Sequence, residues 1–305
     1  MEYRVRACWD HDAVVWIIVI SNMNLMDLQT IQKLSIQYGL RPSRKHGQNF
    51  LVDQAVLDAM VEAAKLKPDD VILEIGPGFG TLTVELARRV RRVIAVEQDR
   101  ILVKALTDLL QKEQINNVEI FEGNVLRIKN QELRIKNYRV VANLPYQITS
   151  RFLRVFLEQA EVKPVDMTLM VQKEVAERIT ALPGNMSLLA VSVQFFGTPE
   201  IVRLVSSSSF WPEPDVDSAV LRIALRNAEE LQSLAEVNYF FKIVRNGFLH
   251  RRQKLINNLS SIFHIDKEDV RKAIESIGLE ENTRAQELSV DQWVKLTKQL
   301  ARRER

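Results

Sequence analysis

The sequence predicts an α/β protein: a seven-stranded, mainly parallel sheet followed by a small all-helical domain. Three observations point to it. Between residues 55 and 172, short apolar runs alternate with stretches of helical spacing. The runs are apolar at nearly every position, which is how strands covered on both faces read. Beyond about residue 227 no strand pattern recurs.

Taken in order, residues 56–66 carry helical spacing, 71–75 form an apolar run ending in glycines, and 81–90 are again helical. A second buried strand at 93–96 ends at Glu97, and 100–114 reads as an amphipathic helix. Third and fourth strands are expected at 118–121 and 139–142, a helix at 149–159, and a fifth strand at 167–171. After Lys173 the rhythm changes. Helices at 173–180 and 188–196 precede strands at 201–205 and 219–225, joined by the proline-containing stretch F-W-P-E-P-D (210–215). Those two strands close the five-stranded parallel sheet and make seven. The tail reads as helical at 240–259, 267–277 and 290–301, the last opened by the capping box S-V-D-Q (289–292). The expected organisation is an extension at 1–25, an α/β domain at 26–226 and a helical domain at 227–305.

With 305 residues and 46% hydrophobic content, the chain can bury a substantial core. A formal charge of +3 permits a basic partner surface without establishing one. The single Cys8 excludes a disulfide framework and fits a reducing compartment. The run A-V-V-W-I-I-V-I (13–20) is too short for a bilayer, which needs about 20 residues, and Glu2, Asp10 and Asp12 before it argue against a signal peptide. Residues 1–25 are therefore read as an upstream extension, with Met23 or Met26 as the start. His11, His46, His250 and His264 show no metal-ligand spacing, so no metal site is expected.

The first strand runs into E-I-G-P-G-F-G (74–80). Glycines there allow a tight turn and close approach of a ligand to the backbone. Glu97, 17 residues past Gly80, ends the next strand, where a carboxylate can accept both hydroxyls of an adenosine ribose. Two ligand classes compete. A dinucleotide fingerprint reads G-x-G-x-x-G, whereas here the spacing is G-x-G-x-G, preceded by the acid Glu74. An acid there suits a cationic ligand such as S-adenosylmethionine better than a pyrophosphate.

The fourth strand ends in N-L-P-Y (143–146) at the carboxyl edge, where open α/β sheets bind ligands. Asn143 brings an amide oxygen that accepts hydrogen bonds. Pro145 fixes the chain direction without a competing N–H, and Tyr146 offers a flat face for stacking. Together they would grip a planar ring with an exocyclic amine, such as adenine. Two acceptors, the Asn143 side chain and a carbonyl near Leu144, would hold its amine hydrogens and aim the nitrogen lone pair at a methyl group.

With these residues in place, the chain resembles the small-subunit rRNA adenine-N6,N6-dimethyltransferases over about residues 41–300. The resemblance rests on K-H-G-Q-N-F-L (45–51), E-I-G-P-G-F-G-T-L-T (74–83), V-E-Q-D (96–99), N-L-P-Y (143–146), Q-K-E-V-A-E-R (172–178), F-W-P-E-P-D-V-D-S-A-V (210–220) and H-R-R-Q-K-L-I-N-N-L (250–259). Seven blocks in order make the signal specific. The resemblance implies a Rossmann-like methyltransferase domain followed by a helical RNA-binding domain. It implies S-adenosylmethionine as methyl donor, and two methyl groups on each of two adjacent adenosines in the 3′-terminal hairpin of 16S rRNA. The partner would be the immature small ribosomal subunit, met in the cytoplasm by a monomer with no membrane association.

Residue by residue, the resemblance assigns cofactor contacts to Asn49, Leu51, Gly76, Glu97 and Asn143. Positioning of the base falls to Asn143, Leu144, Pro145 and Tyr146, with Phe210 packing on the other face. Flipping the adenine out of its stack needs such ring faces. RNA contacts fall to Arg251, Arg252 and Lys254 of H-R-R-Q-K, which sits on a predicted helix. The clusters R-P-S-R-K-H (41–46) and A-R-R-V-R-R (87–92) read more readily as solvated faces.

Two departures stand out. Asn124 in E-G-N-V replaces the family's usual aspartate, keeping an acceptor for the cofactor's adenine amine without its charge, at a cost on the order of 1 kcal/mol. The loop P-G-N-M-S-L-L (183–189) is about two residues short of the family pattern. Two rival readings remain: a relative acting on large-subunit rRNA, and a small-subunit assembly factor with little catalytic output. A nicotinamide oxidoreductase fails on glycine spacing and lacks an evident proton donor near N-L-P-Y.

Overall fold

A computed structural model describes residues 24–42, 47–128, 133, 135–226, 234–263 and 266–301. Residues 1–23, with the apolar run at 13–20, and residues 43–46 of the first basic cluster lie outside the described residues. The chain opens with α1 (Leu28–Gln37), a two-residue strand β1 (Phe50–Leu51) and α2 (Gln54–Ala63). Then β2 (Val71–Ile75), α3 (Thr81–Ala87), β3 (Arg92–Glu97), α4 (Arg100–Lys112) and β4 (Val118–Glu122) alternate as the apolar runs predict. The second half of the sheet brings β5 (Arg139–Asn143), α5 (Thr149–Arg154), β6 (Asp166–Gln172), α6 (Lys173–Ile179) and α7 (Leu188–Phe196). It closes with β7 (Gly197–Val205), the short β8 (Phe210–Trp211) and β9 (Ser218–Leu225).

The main sheet has seven strands in the order β4-β3-β2-β5-β6-β9-β7. It is parallel from β4 through β6, while β9 runs antiparallel to both β6 and β7. Successive residues supply opposite faces. Val71, Leu73 and Ile75 enter one core with Phe152, Phe156 and Val191, whereas Ile72, Val93 and Val141 enter another with Val56, Met60 and Leu86. Side chains alternate across a strand, so a strand covered twice must be apolar throughout. The order also reverses beside β2: the chain goes outward to β3 and β4, then returns to β5. That switch point leaves a crevice between the ends of β2 and β5.

Four helices follow: α8 (Leu234–Gly247), α9 (Leu255–Phe263), α10 (Lys267–Glu275) and α11 (Val290–Ala301). Phenylalanines join them to the sheet layer. Phe240 of α8 stacks on Phe195 of α7 at 4.3 Å, and Phe241 on Phe196 at 5.6 Å. Arg245 reinforces the seam with an ion pair to Glu158 at 2.8 Å. The short 183–189 loop is tied to the helical layer too, since the Gly184 and Met186 N–H groups donate to the Gln286 carbonyl at 2.9 and 3.1 Å. The capping box of α11 forms in both directions, Ser289 N to Gln292 Oε1 at 2.9 Å and Gln292 N to Ser289 Oγ at 3.2 Å.

One expectation is corrected. The single helix read at 240–259 is two helices, broken by a turn at residues 248–254. The cause is tertiary. Gly247 ends α8 under the Trp293 ring, where an added Cβ would lie 2.3 Å from Cη2. The carbonyls freed by the break are taken by buried Asn258, whose Nδ2 donates to Gly247 O at 2.7 Å and to His250 O at 3.2 Å. H-R-R-Q-K therefore occupies an exposed turn, not a helix. Asn258→Ala should strip the Gly247 carbonyl of its donor, while His250 O keeps Gln253 N at 2.9 Å, and lower stability by about 1–3 kcal/mol in urea unfolding; an unchanged midpoint would refute this account of the break.

Candidate active site

Three glycines turn the chain at the end of β2. Gly76, Gly78 and Gly80 have φ of +66°, +60° and +91°, where a Cβ brings strain. Above the turn, a cavity of about 540 Å³ opens in the crevice, within the roughly 300–1,000 Å³ range of small-molecule sites. It is lined by Gly76, Gly78, Glu74, Glu97, Gln98, Asp99 and Arg100, by residues 47–51, and by Asn143 and Pro145.

The wall is acidic. Glu74 is 1% exposed, and its Oε2 has no partner. Burial pushes this carboxyl up to about 8; the neighbouring Thr83 hydroxyl opposes the shift and the negative Glu97 adds to it. Burial also raises Glu97, against the N–H groups of Asp99, Gln98 and Gly78. Two of these reach Glu97 Oε1, Gln98 N at 2.8 Å and Asp99 N at 2.9 Å. Two desolvated carboxyls facing one cavity disfavour an anion and suit a cation.

The roof is a ribbon made by two distant motifs. β1 pairs antiparallel with β8, Phe50 opposite Trp211 and Leu51 opposite Phe210. Val52 N donates to Ser209 O at 2.9 Å, and Ser209 Oγ donates to Asp53, the N-cap of α2, at 2.9 Å. Gln48 Nε2 closes the front by donating to Asp99 Oδ2 at 2.8 Å.

Asn143 stands at the end of β5 with its Nδ2 donating to the Asn49 carbonyl at 3.1 Å. A carbonyl can only accept, so the amide nitrogen must face Asn49 and Oδ1 is left as an acceptor. The next peptide is also fixed: Leu144 N donates to Met170 O at 3.2 Å. Among the described residues no donor is aimed at the Leu144 carbonyl. The Pro145 carbonyl is taken by Ile148 N at 3.1 Å, closing a 3-10 turn over Tyr146–Ile148. Tyr146 is half-buried, its hydroxyl 2.6 Å from Ser218 Oγ.

The cavity thus gathers Asn49, Leu51, Gly76, Glu97 and Asn143, with Pro145 beside them and Leu144 and Tyr146 following on the same edge. Asn124 is not among its lining residues. Its side chain is exposed and its Oδ1 accepts from Leu126 N at 2.9 Å, capping its own turn. Phe210 is 3% exposed and belongs to the core around Leu51, Met170, Val205 and Val220. Arg251, Arg252 and Lys254 lie outside the crevice on the α8–α9 turn, all exposed, with Lys254 Nζ 3.7 Å from Glu281. In the 87–92 cluster, Arg88 and Arg89 pair with Glu85, and Arg92 pairs with Glu119. Sequence reasoning passed over Gln48, Phe50 and Asp99 as site residues, although two of the quoted blocks contain them.

The family model for ribosomal RNA adenine dimethylase matches residues 40–302. Ribosomal RNA small subunit methyltransferase A of Dehalococcoides mccartyi is 43% identical over 258 residues, covering 84% of this chain and 87% of that protein. The protein of the same name from Alkaliphilus metalliredigens is 37% identical over 277 residues, covering 88% and 95%. A dimethyladenosine transferase from Plasmodium falciparum superposes with a TM-score of 0.71 at 25% identity, over 83% of this chain and 98% of that one. The 23S rRNA methyltransferase ErmE superposes with a TM-score of 0.69 at 29% identity, over 83% and 100%. The acidic crevice, the amide at its edge and these likenesses agree: the chain belongs to the ribosomal RNA adenine dimethylase family and is an S-adenosylmethionine-dependent rRNA adenine methyltransferase.

Proposed function

We propose that the chain dimethylates N6 of two adjacent adenosines in the 3′-terminal hairpin of 16S rRNA, acting as a cytoplasmic monomer on the immature small subunit. The observation that carries the chemistry is Asn143, whose amide is oriented by Asn49 so that its oxygen faces away as an acceptor. The small-subunit target is supported by the relatives' names at 43% and 37% identity.

The donor set fits S-adenosylmethionine. Glu74 has a buried, unpartnered oxygen for a cationic group, Glu97 suits ribose hydroxyls, and Asn49, Leu51 and Gly76 border the same cavity. When bound, S-adenosylmethionine supplies a methyl group already activated by a positive sulfur, so no strong base is required. The chain's own contribution is to position the adenine. Asn143 Oδ1 and the Leu144 carbonyl accept the two N6 hydrogens and turn the nitrogen lone pair out of conjugation. Tyr146 stacks on the ring, a contact worth about 1–3 kcal/mol, and Phe210 stiffens the wall from the core behind. After one transfer and release of a proton from the methylated nitrogen to water, a single N6 hydrogen remains, so one acceptor suffices to hold the second round. Asn124 would accept from the cofactor's adenine amine after giving up its bond to Leu126 N.

Primer-extension mapping of methylated adenosines tests the target; a large-subunit product would overturn it. Within that assay, Asn143→Ala should lower transfer by about 100- to 1,000-fold while the variant still binds small subunits, and undiminished transfer would refute its role.

The raised Glu74 carboxyl sets a pH dependence. It is mostly neutral below about 8, and only its ionised form attracts a cation. Affinity for S-adenosylmethionine should therefore climb from pH 6.0 to pH 7.5, below the roughly 7.7–8.0 at which an α-amino group loses its proton. Titration calorimetry should show this rise in the wild type and a flat profile in Glu74→Gln. Identical profiles would exclude Glu74 as the cation's partner.

Arg251→Ala and Arg252→Ala should each reduce the slope of log affinity for small subunits against log salt by roughly 0.7–0.9. Lys254→Ala should change it less, because Glu281 already partly satisfies that charge. Filter binding across salt concentrations checks this, and unaltered slopes for both arginines would move the RNA contact elsewhere.

A further inference from the structure

We propose that Ser218 is a positioning residue for methyl transfer: its buried hydroxyl holds the Tyr146 phenol and so fixes the direction of the ring on which the target base stacks. The inference rests on the reading of N-L-P-Y as the base grip.

Ser218 is fully buried, and its Oγ lies 2.6 Å from the Tyr146 hydroxyl. A hydroxyl buried without a partner is costly, and alanine would fill the same space without that cost. The position therefore has a reason to carry serine, and Tyr146 is the partner it meets. Ser218 opens β9, opposite Gln172 on β6 and Val205 on β7. Asn143 is opposite Met170, two residues earlier on the same β6. At about 3.3 Å per residue, the Ser218 row lies about 7 Å beyond the Asn143 row. The phenol thus reaches from the end of β5 across the end of β6 to β9.

Tyr146 is held at its other end as well, by the 3-10 turn that Ile148 N closes on the Pro145 carbonyl. A half-buried ring anchored through its backbone alone could swing toward solvent. Anchored at both ends, it keeps its direction while remaining only half-buried. Asp217 is fixed nearby by two bonds, its carbonyl accepting from Lys173 N at 3.0 Å and its carboxylate from Ser207 N at 3.1 Å. Burial and the Asp217 charge keep the phenol protonated. The serine of D-V-D-S-A-V is thereby joined to the tyrosine of N-L-P-Y, two blocks 72 positions apart.

A double-mutant cycle on Ser218→Ala and Tyr146→Phe tests this. Each variant removes the bond and keeps the remaining bulk of its side chain. Each should lower kcat by about 10- to 100-fold, the scale on which small misplacements act. Cofactor affinity should stay near the wild type, and the double variant should be no slower than the slower single one. Multiplied losses, an unchanged kcat in Ser218→Ala, or a parallel loss of cofactor binding would overturn the proposal. If Ser218→Ala does not fold, Tyr146→Phe cuts the bond from the open end, and an unchanged kcat there overturns it equally. An ultraviolet titration of the phenols gives a readout independent of substrate. The tyrosine that disappears in Tyr146→Phe should be the one whose ionisation moves in Ser218→Ala, and no movement would sink the bond even if the RNA target were misassigned.

Discussion

The bond from Asn143 Nδ2 to the Asn49 carbonyl is the contact on which the site depends. An amide side chain can turn over and exchange its donor for its acceptor at little cost in shape. A carbonyl partner removes that freedom, because only one of the two ends can donate to it. The residue is thereby converted from an ambiguous group into a fixed acceptor. The partner comes from the N-terminal segment, which is itself strapped down: Phe50 and Leu51 pair with Trp211 and Phe210, and Gln48 is tied to Asp99. The orientation of one amide thus draws on the sheet, on the segment before α2 and on the loop before β9.

The same architecture explains the electrostatics. A parallel sheet whose order reverses leaves the ends of β2 and β5 without a connection between them, and the crevice forms there. The residues ending β2 and β3 must then point into low-dielectric space, and they include Glu74 and Glu97. In water two carboxylates would repel anions weakly and bind cations weakly. Buried, they are raised in pKa and take on selectivity, since a cation restores the charge that burial suppressed.

Much of this was legible in the sequence because burial on both faces leaves a plain signature. β2 (Val71–Ile75) and the helix Leu188–Phe196 match their predicted bounds, most other predicted strands differ by one residue at an end, and the strand expected at 201–205 begins four residues earlier, at Gly197. What escaped has one cause in common: partners far away in the chain. The ribbon of Phe50–Leu51 and Phe210–Trp211 is too short to show any periodicity and exists through pairing across about 160 positions. The break after Gly247 interrupts a spacing that remains helical, and it is imposed by Trp293. The helix at Leu28–Gln37 buries Ile31, Leu34 and Ser35 and little else, which leaves too thin an apolar stripe to read. At the site, residue types announced an acceptor, a ring and an acidic wall. The direction of the Asn143 amide and the anchoring of the Tyr146 hydroxyl needed coordinates, because each depends on one atom of a residue elsewhere.

The cavity lining contains carboxyls, amides, backbone groups and one arginine, with no histidine, cysteine or lysine among the described residues. Of these, Asp99 is held by Gln48 and caps α4, and Arg100 is paired with Glu122 at 2.7 Å. Transfer of an already activated methyl group calls for geometry rather than for a strong base. Where positioning carries the reaction, displacement of a group by about 1 Å can cost on the order of 100-fold, so flexibility in the grip would be penalised directly. The fold answers by constraining N-L-P-Y from three sides. Asn49 takes the Asn143 amide, Met170 takes the Leu144 N–H, and Ser218 meets the Tyr146 hydroxyl. Each constraint uses a polar atom that would otherwise compete for the substrate, and among the described residues no donor is aimed at the two acceptors, Asn143 Oδ1 and the Leu144 carbonyl, that an adenine amine requires.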